Sequence, residues 1–142
     1  MPQALCCNEM ASAKHVCCAM WRALWSRCAS SAAASPICAR PFASTIALAD
    51  AGLAPHDIGY INPHASSTQL NDANEVLCIR SVFGEMPPPI SGTKPFTAHP
   101  LRATAAIETA ICSLALRDQW LPPTLHHRTP DPACGIDIVP NT

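Results

Sequence analysis

The run Ile58-Gly59-Tyr60-Ile61 constrains the fold more than any other stretch, because it is a short β-branched and aromatic segment set between two helical patterns. Upstream, Ser44 to Gly52 (STIALADAG) carries apolar residues at helical spacing and ends on a glycine where a helix needs a left-handed terminator. Downstream, Leu70 to Gly84 (LNDANEVLCIRSVFG) predicts a second helix, with Asn71 or Asp72 as N-cap and Gly84 as stop. Leu70, Ala73, Val76, Leu77, Ile79 and Phe83 keep its 3.6-residue period. Pro87 to Lys94 (PPPISGTK) reads as a further extended segment. Ala103 to Asp118 is the strongest helix, with Ala103, Ala106, Ile107, Ala110, Ile111 and Leu114 on one face. A proline-rich surface loop, Leu121 to Gly135, leads to Ile136-Asp137-Ile138-Val139 as a last short strand. Helix, strand, helix, strand, helix, strand is the order of a layered α/β unit, helices on a mixed sheet. Little sequence follows the last strand to close the sheet edge, so a partial domain is expected.

Composition narrows the class. A chain of 142 residues, about half of them hydrophobic (49%), can bury the core of one domain, and disorder throughout is excluded. The formal charge of −1 gives no electrostatic basis for binding nucleic acid or an anionic membrane, and neither is expected as a partner. The nine cysteines are an odd number, and six of them, Cys6, Cys7, Cys17, Cys18, Cys28 and Cys38, lie in the first 42 residues. That segment has no acidic residue after Glu9 but holds Lys14, Arg22, Arg27 and Arg40, and the composition shifts near Pro41. The expected organisation is therefore a Cys/Ala/Ser-rich extension over 1–42 and the α/β segment over 43–142.

Three readings of the extension compete. A zinc site lacks the usual Cys-x-x-Cys pairs, so no metal is expected, nor any cofactor. A basic, acid-poor, Ser/Ala-rich start fits an organellar transit peptide. The favoured reading is a loosely helical appendage. Val16 to Trp25 is too short, and is broken by Arg22, to form a signal core or membrane span. The expectation is a cytoplasmic chain with reduced thiols, or an organellar one if the extension is a transit peptide.

Active sites of layered α/β folds gather where strands end and helices begin. His64 follows the IGYI run, Lys94 follows the PPPIS segment, and His99 precedes the Ala-rich helix with Pro100 at its first position. An imidazole at a helix N-terminus stays neutral and can donate a hydrogen bond to a developing oxyanion or enolate. Structural roles compete with this: a strand-end histidine often only bonds backbone, and a lone lysine is often solvated. Glu108, inside an apolar helix, needs a partner such as Lys94. His126 and His127 read as solvated, Cys78 and Cys112 as small buried hydrophobes.

Three stretches carry a family likeness: ALADAGLAPHDIGYINPHASSTQLNDANE, VFGEMPPPISGTKPFTAHPLRATAAIETA and LALRDQWLPPTLHHRTPDPACGIDIVPN. Together they closely resemble the carboxy-terminal part of β-ketoacyl-acyl carrier protein synthases of the type II elongating class, over about the last hundred residues. The resemblance implies a partial thiolase-like fold and an acyltransferase that condenses an acyl thioester with malonyl-acyl carrier protein. In that family a cysteine takes the acyl group, and two histidines assist decarboxylation and stabilise the enolate. The histidine of the family's Asn-Ala-His-Gly-Thr-Ser-Thr motif falls on His64, and that of Thr-Gly-His-Leu-Leu-Gly on His99. The lysine of the Ser-Thr-Lys stretch falls on Lys94, and its glutamate partner on Glu108.

The departures set the functional expectations. Nothing in Met1 to Pro41 resembles the family's nucleophile elbow, so none of the nine cysteines is carried over as nucleophile, and the Phe-Gly-Gly segment that helps form the oxyanion hole would fall beyond Thr142. Around the first histidine the family's Ala, Gly and Thr are Pro63, Ala65 and Ser66. Around the second its glycines are Ala98, Arg102 and Ala105. Each replacement of glycine adds bulk that can strain a turn, and Arg102 adds a long cation. The expectation is a truncated ketosynthase, inactive in condensation when alone. The alternative is a non-catalytic accessory or relic subunit that binds a complete ketosynthase or acyl carrier protein. Partners expected on the resemblance are acyl carrier protein and a ketosynthase-type chain, in a homo- or hetero-oligomer.

Overall fold

The computed structural model describes residues 15–17 and 39–140. Helix α1 (Ala39–Ala51) opens with Pro41 in its first turn, where a missing N–H costs no intrahelical bond. It closes on Gly52 at φ +66°, whose N–H donates to the Ala49 carbonyl while the Leu53 N–H reaches the Leu48 carbonyl at 2.9 Å. This double bond pattern is the Schellman cap that the glycine predicted. A 3-10 turn (Pro55–Asp57), tied by the Ala54 N–H donating to Asp57 Oδ2, then feeds strand β2 (Ile58–Ile61).

All four residues of β2 are buried, because helices cover both faces of the sheet. Ile58 and Ile61 join one apolar cluster with Leu48 of α1, Ile79 of α2 (Gln69–Phe83) and Ile90. A second cluster holds Tyr60 with Cys112 and Ala115 of α4 (Thr104–Asp118) and with Leu121. Ile61 bridges Ile90 in parallel, and the Ile90 carbonyl accepts the Val139 N–H at 2.8 Å, so the extended segments lie side by side in the layered α/β arrangement. Cys78 and Cys112 are the small buried residues expected.

Several expectations are corrected. His15–Cys17, within the segment expected to be loosely helical, form strand β1, which pairs in parallel with β2 from His15 opposite Ile58 to Cys17 opposite Ile61. Cys6, Cys7, Cys18, Cys28 and Cys38, with the transit-peptide reading, lie outside the described residues. The N-cap of α2 is Thr68, not Asn71 or Asp72. Asn71 lies in the first turn, its amide donating to Asp72 Oδ1 and Glu75 Oε2. Pro100 does not start α4: a 3-10 turn (Leu101–Ala103) intervenes, and Arg102 is exposed on it rather than packed. Residues 136–139 form no strand and are held by the Val139 bonds to Ile90 and Thr124.

The buried helical faces also differ from those the periodicity picked out. In α4 the covered residues are Thr104, Glu108, Cys112 and Ala115, one helical stripe, while Ala106, Ala110 and Leu114 are exposed. In α2 Leu70 is 73% and Leu77 63% exposed. In α4 apolar residues lie on more than one side, so periodicity marks no single stripe, and packing against the sheet selects the one that meets it.

Candidate functional site

Two side-chain rungs align the strand ends that carry the candidate residues. The Tyr60 hydroxyl lies 2.7 Å from Ser91 Oγ, and the Asn62 amide donates to Thr93 Oγ1 at 3.0 Å, with the Thr93 hydroxyl positioned to return a bond to Asn62 Oδ1. All four residues are almost wholly buried, where unpaired polar groups would be costly, so the rungs fix the register of residues 60–62 against 91–93. His64 and Lys94 therefore leave the sheet from matched positions.

Beyond Asn62 the chain turns through left-handed conformations, Ala65 at φ +36° and Ser67 at φ +61°. The turn is clamped by Glu75, which sequence reasoning passed over. Its carboxylate accepts the His64 N–H at 2.7 Å on Oε1 and the Ala65 N–H at 2.8 Å on Oε2. Two successive N–H groups converging on one buried carboxylate are strong charge-assisted bonds. A signal was present: Glu75 stands one turn after Asn71 on a helix whose neighbours Ala73 and Val76 are apolar.

Lys94 begins the short helix α3 (Lys94–Thr97), and its Nζ meets Glu108 Oε1 at 2.5 Å with the side chains 7% and 3% exposed. The pair expected from the sequence is formed, and it ties the start of α3 to the middle of α4 across the segment bearing His99. Ala98 precedes His99 at φ +57°, ψ −165°, a region almost reserved for glycine. The exposed His99 accepts the Leu101 N–H on Nδ1 at 3.3 Å, with Thr104 Oγ1 at 3.5 Å from the same atom. With Nδ1 facing the Leu101 N–H, Nε2 is the ring nitrogen left to face a ligand.

The two imidazoles meet. The half-buried His64 ring lies edge to face on His99, with centroids 5.1 Å apart and planes at 81°. His126 sits apart on the proline-rich loop and is exposed, and His127 is half-buried. Cys78, Cys112 and Cys134 do not suit nucleophilic attack. Cys78 and Cys112 are buried, and the Cys134 thiol is pushed up first by desolvation and then by Asp131 and Asp72. Among the described residues no three His, Cys, Asp or Glu side chains gather as metal ligands, and no helix is long and apolar enough to cross a membrane.

The chain is similar to known proteins over about two thirds of its length. The model of the family described as beta-ketoacyl synthase, C-terminal domain, matches residues 28–128. The chain is 45% identical over 97 residues to 3-oxoacyl-[acyl-carrier-protein] synthase 2 of Staphylococcus aureus, covering 67% of this chain and 24% of that protein. It is 43% identical over 96 residues to nodulation protein E of Rhizobium meliloti, covering 66% and 24%. Among solved structures it is similar to the ishigamide ketosynthase/chain length factor, with a TM-score of 0.69 and 36% identity over 71% of this chain and 25% of that one. It is also similar to a type II PKS ketosynthase in complex with its acyl-carrier protein and bound to the hexaketide, with a TM-score of 0.66 and 39% identity over 72% and 26%. The chain thus spans about a quarter of the length of the relatives it matches.

Proposed function

The chain belongs to the β-ketoacyl synthase family, through the carboxy-terminal domain of those proteins, and from that membership we propose that it contributes the decarboxylating half of a condensing site in fatty acid or polyketide synthesis. The observation that carries the proposal is the edge-to-face contact of His64 and His99 at the ends of two segments locked in register. The substrate is malonyl thioester on acyl carrier protein. The Nε2–H of His99 donates to the thioester carbonyl oxygen, and His64 is the second donor to the same oxygen. As the bond to the carboxylate breaks, carbon dioxide leaves and the bonding electrons pass into an enolate whose oxygen both imidazoles stabilise. The enolate carbon then attacks an acyl thioester and expels its thiolate. Lys94 and Glu108 hold the His99 segment rather than touching substrate.

The acyl-bearing cysteine comes from outside the described residues, in a ketosynthase-type chain or segment, and the 142-residue chain alone forms no ketoacyl product. A second reading, a non-catalytic accessory subunit, is favoured by one observation: large apolar side chains are exposed on separate helices, Leu70 and Leu77 on α2 and Leu114 on α4, where a partner chain could cover them. One experiment separates the two. The chain is incubated with acyl- and malonyl-acyl carrier protein, alone and with a cysteine-bearing ketosynthase portion. Alone, no ketoacyl product is expected. With the partner, product and carbon dioxide should appear and should fall about 10²–10³-fold in His64→Ala or His99→Ala, as for loss of an oxyanion donor. Product from the chain alone would overturn the division of labour, and indifference to both substitutions would leave the accessory reading.

A further inference from the structure

We infer that Ala65 and Gly92 form a steric pair that sets the approach of His64 to His99, which makes Gly92 a positioning residue for the imidazoles. The inference rests on the proposed role of the two histidines. The backbone of Gly92 lies outside the left-handed region, so its own conformation does not call for glycine. Its neighbour does. A Cβ built at position 92 would stand 3.1 Å from the Ala65 Cβ, inside the usual 3.5–4.0 Å separation of carbon atoms. Ala65 presents the converse case, for it carries a methyl group at φ +36°, where glycine is favoured. Each residue of the pair therefore has the side chain its partner's backbone would suit better.

Neither side can yield freely. The Ala65 and His64 N–H groups are both held by the buried Glu75 carboxylate, at 2.8 and 2.7 Å. Gly92 donates to Thr124 Oγ1 at 3.1 Å, and its neighbours Ser91 and Thr93 are locked to Tyr60 and Asn62. A side chain added at 92 thus pushes on Ala65, and the displacement passes to the adjoining His64 ring in contact with His99.

The test uses the full chain with 13C-labelled histidine and compares wild type, Gly92→Ser, Ala65→Gly and the double variant. A cross-peak between the His64 and His99 rings is expected in wild type and in Ala65→Gly. Gly92→Ser should weaken it and shift the His64 ring protons. The double variant should restore both, with a thermal midpoint at or above that of wild type because glycine then occupies the left-handed position. A Gly92→Ser chain that fails to fold while the double variant folds also supports the pair. Absence of the wild-type cross-peak, unchanged His64 signals in Gly92→Ser, or a double variant no better than the single one would overturn it. Failure of the decarboxylation assay with the ring contact and its rescue intact would instead refute the functional reading alone.

Discussion

Replacing Glu75 by Gln should loosen the His64 turn while leaving the rest of the fold in place. The carboxylate offers an oxygen to each of two backbone donors, 2.7 Å from the His64 nitrogen and 2.8 Å from the Ala65 nitrogen, and a weaker contact to the Asn71 amide at 3.4 Å. A carboxamide of the same shape has one acceptor oxygen, so one backbone N–H must face an NH₂ group. Leaving a buried donor unpaired costs about 1–3 kcal/mol, and the remaining bond loses its charge assistance, worth about 1 kcal/mol more. The sum, about 2–4 kcal/mol, is a large share of the about 5–15 kcal/mol that holds a domain of this kind. Urea denaturation reads the global part of this loss as a lower midpoint with unchanged slope. Native-state hydrogen exchange reads the local part, because the His64 and Ala65 amides should lose protection while those in the middle of α4 keep theirs. A stability change within about 0.5 kcal/mol, the range of an ordinary surface substitution, together with unchanged protection at both amides, would refute the clamp.

Three further predictions follow from the same geometry. Glu108→Ala leaves the Lys94 ammonium buried without its partner and should cost about 3–5 kcal/mol, whereas Lys94→Met with Glu108→Leu should recover most of it in chemical denaturation. Ala98→Gly should stabilise the chain by about 1 kcal/mol, seen as a rise in Tm, since glycine tolerates φ +57°, ψ −165° and alanine does not. Cys134, with its thiol pushed up by burial, should react more slowly with iodoacetamide in the folded chain than in urea at mildly alkaline pH, followed by peptide mass mapping. The sign follows from the neutral thiol being the favoured folded form: the stabilisation is complete below the ordinary thiol range and is lost as pH rises through the folded value.

What the sequence revealed was local. Gly52 and Gly84 ended their helices because a left-handed terminator needs no distant partner, and IGYI formed a strand over its full length. His64 was picked out by a strand end and His99 by an expected helix start, each also by motif resemblance, and the structure brings their rings together. The Lys94 and Glu108 pairing was legible because an isolated carboxylate in an apolar helix demands a cation. Tertiary choices were not legible. Periodicity could not decide that α4 would cover Thr104, Glu108, Cys112 and Ala115 rather than its Ala/Ile/Leu stripe, because that depends on what lies opposite. Glu75 escaped notice because its partners are backbone groups ten and eleven residues away, which side-chain patterns do not display.

The two rungs between Tyr60 and Ser91 and between Asn62 and Thr93 span the same 31-residue separation. Contacts this distant require the closure of a long loop, which slows folding more than local pairing does. During synthesis α2 leaves the ribosome before either partner on the 91–93 segment, so the turn bearing His64 can be clamped by Glu75 while its register is still open. The meeting of His64 with His99 thus depends on rungs that close a longer loop than the Glu75 clamp does. Ordering of the site is in this way a long-range step superimposed on a short-range one.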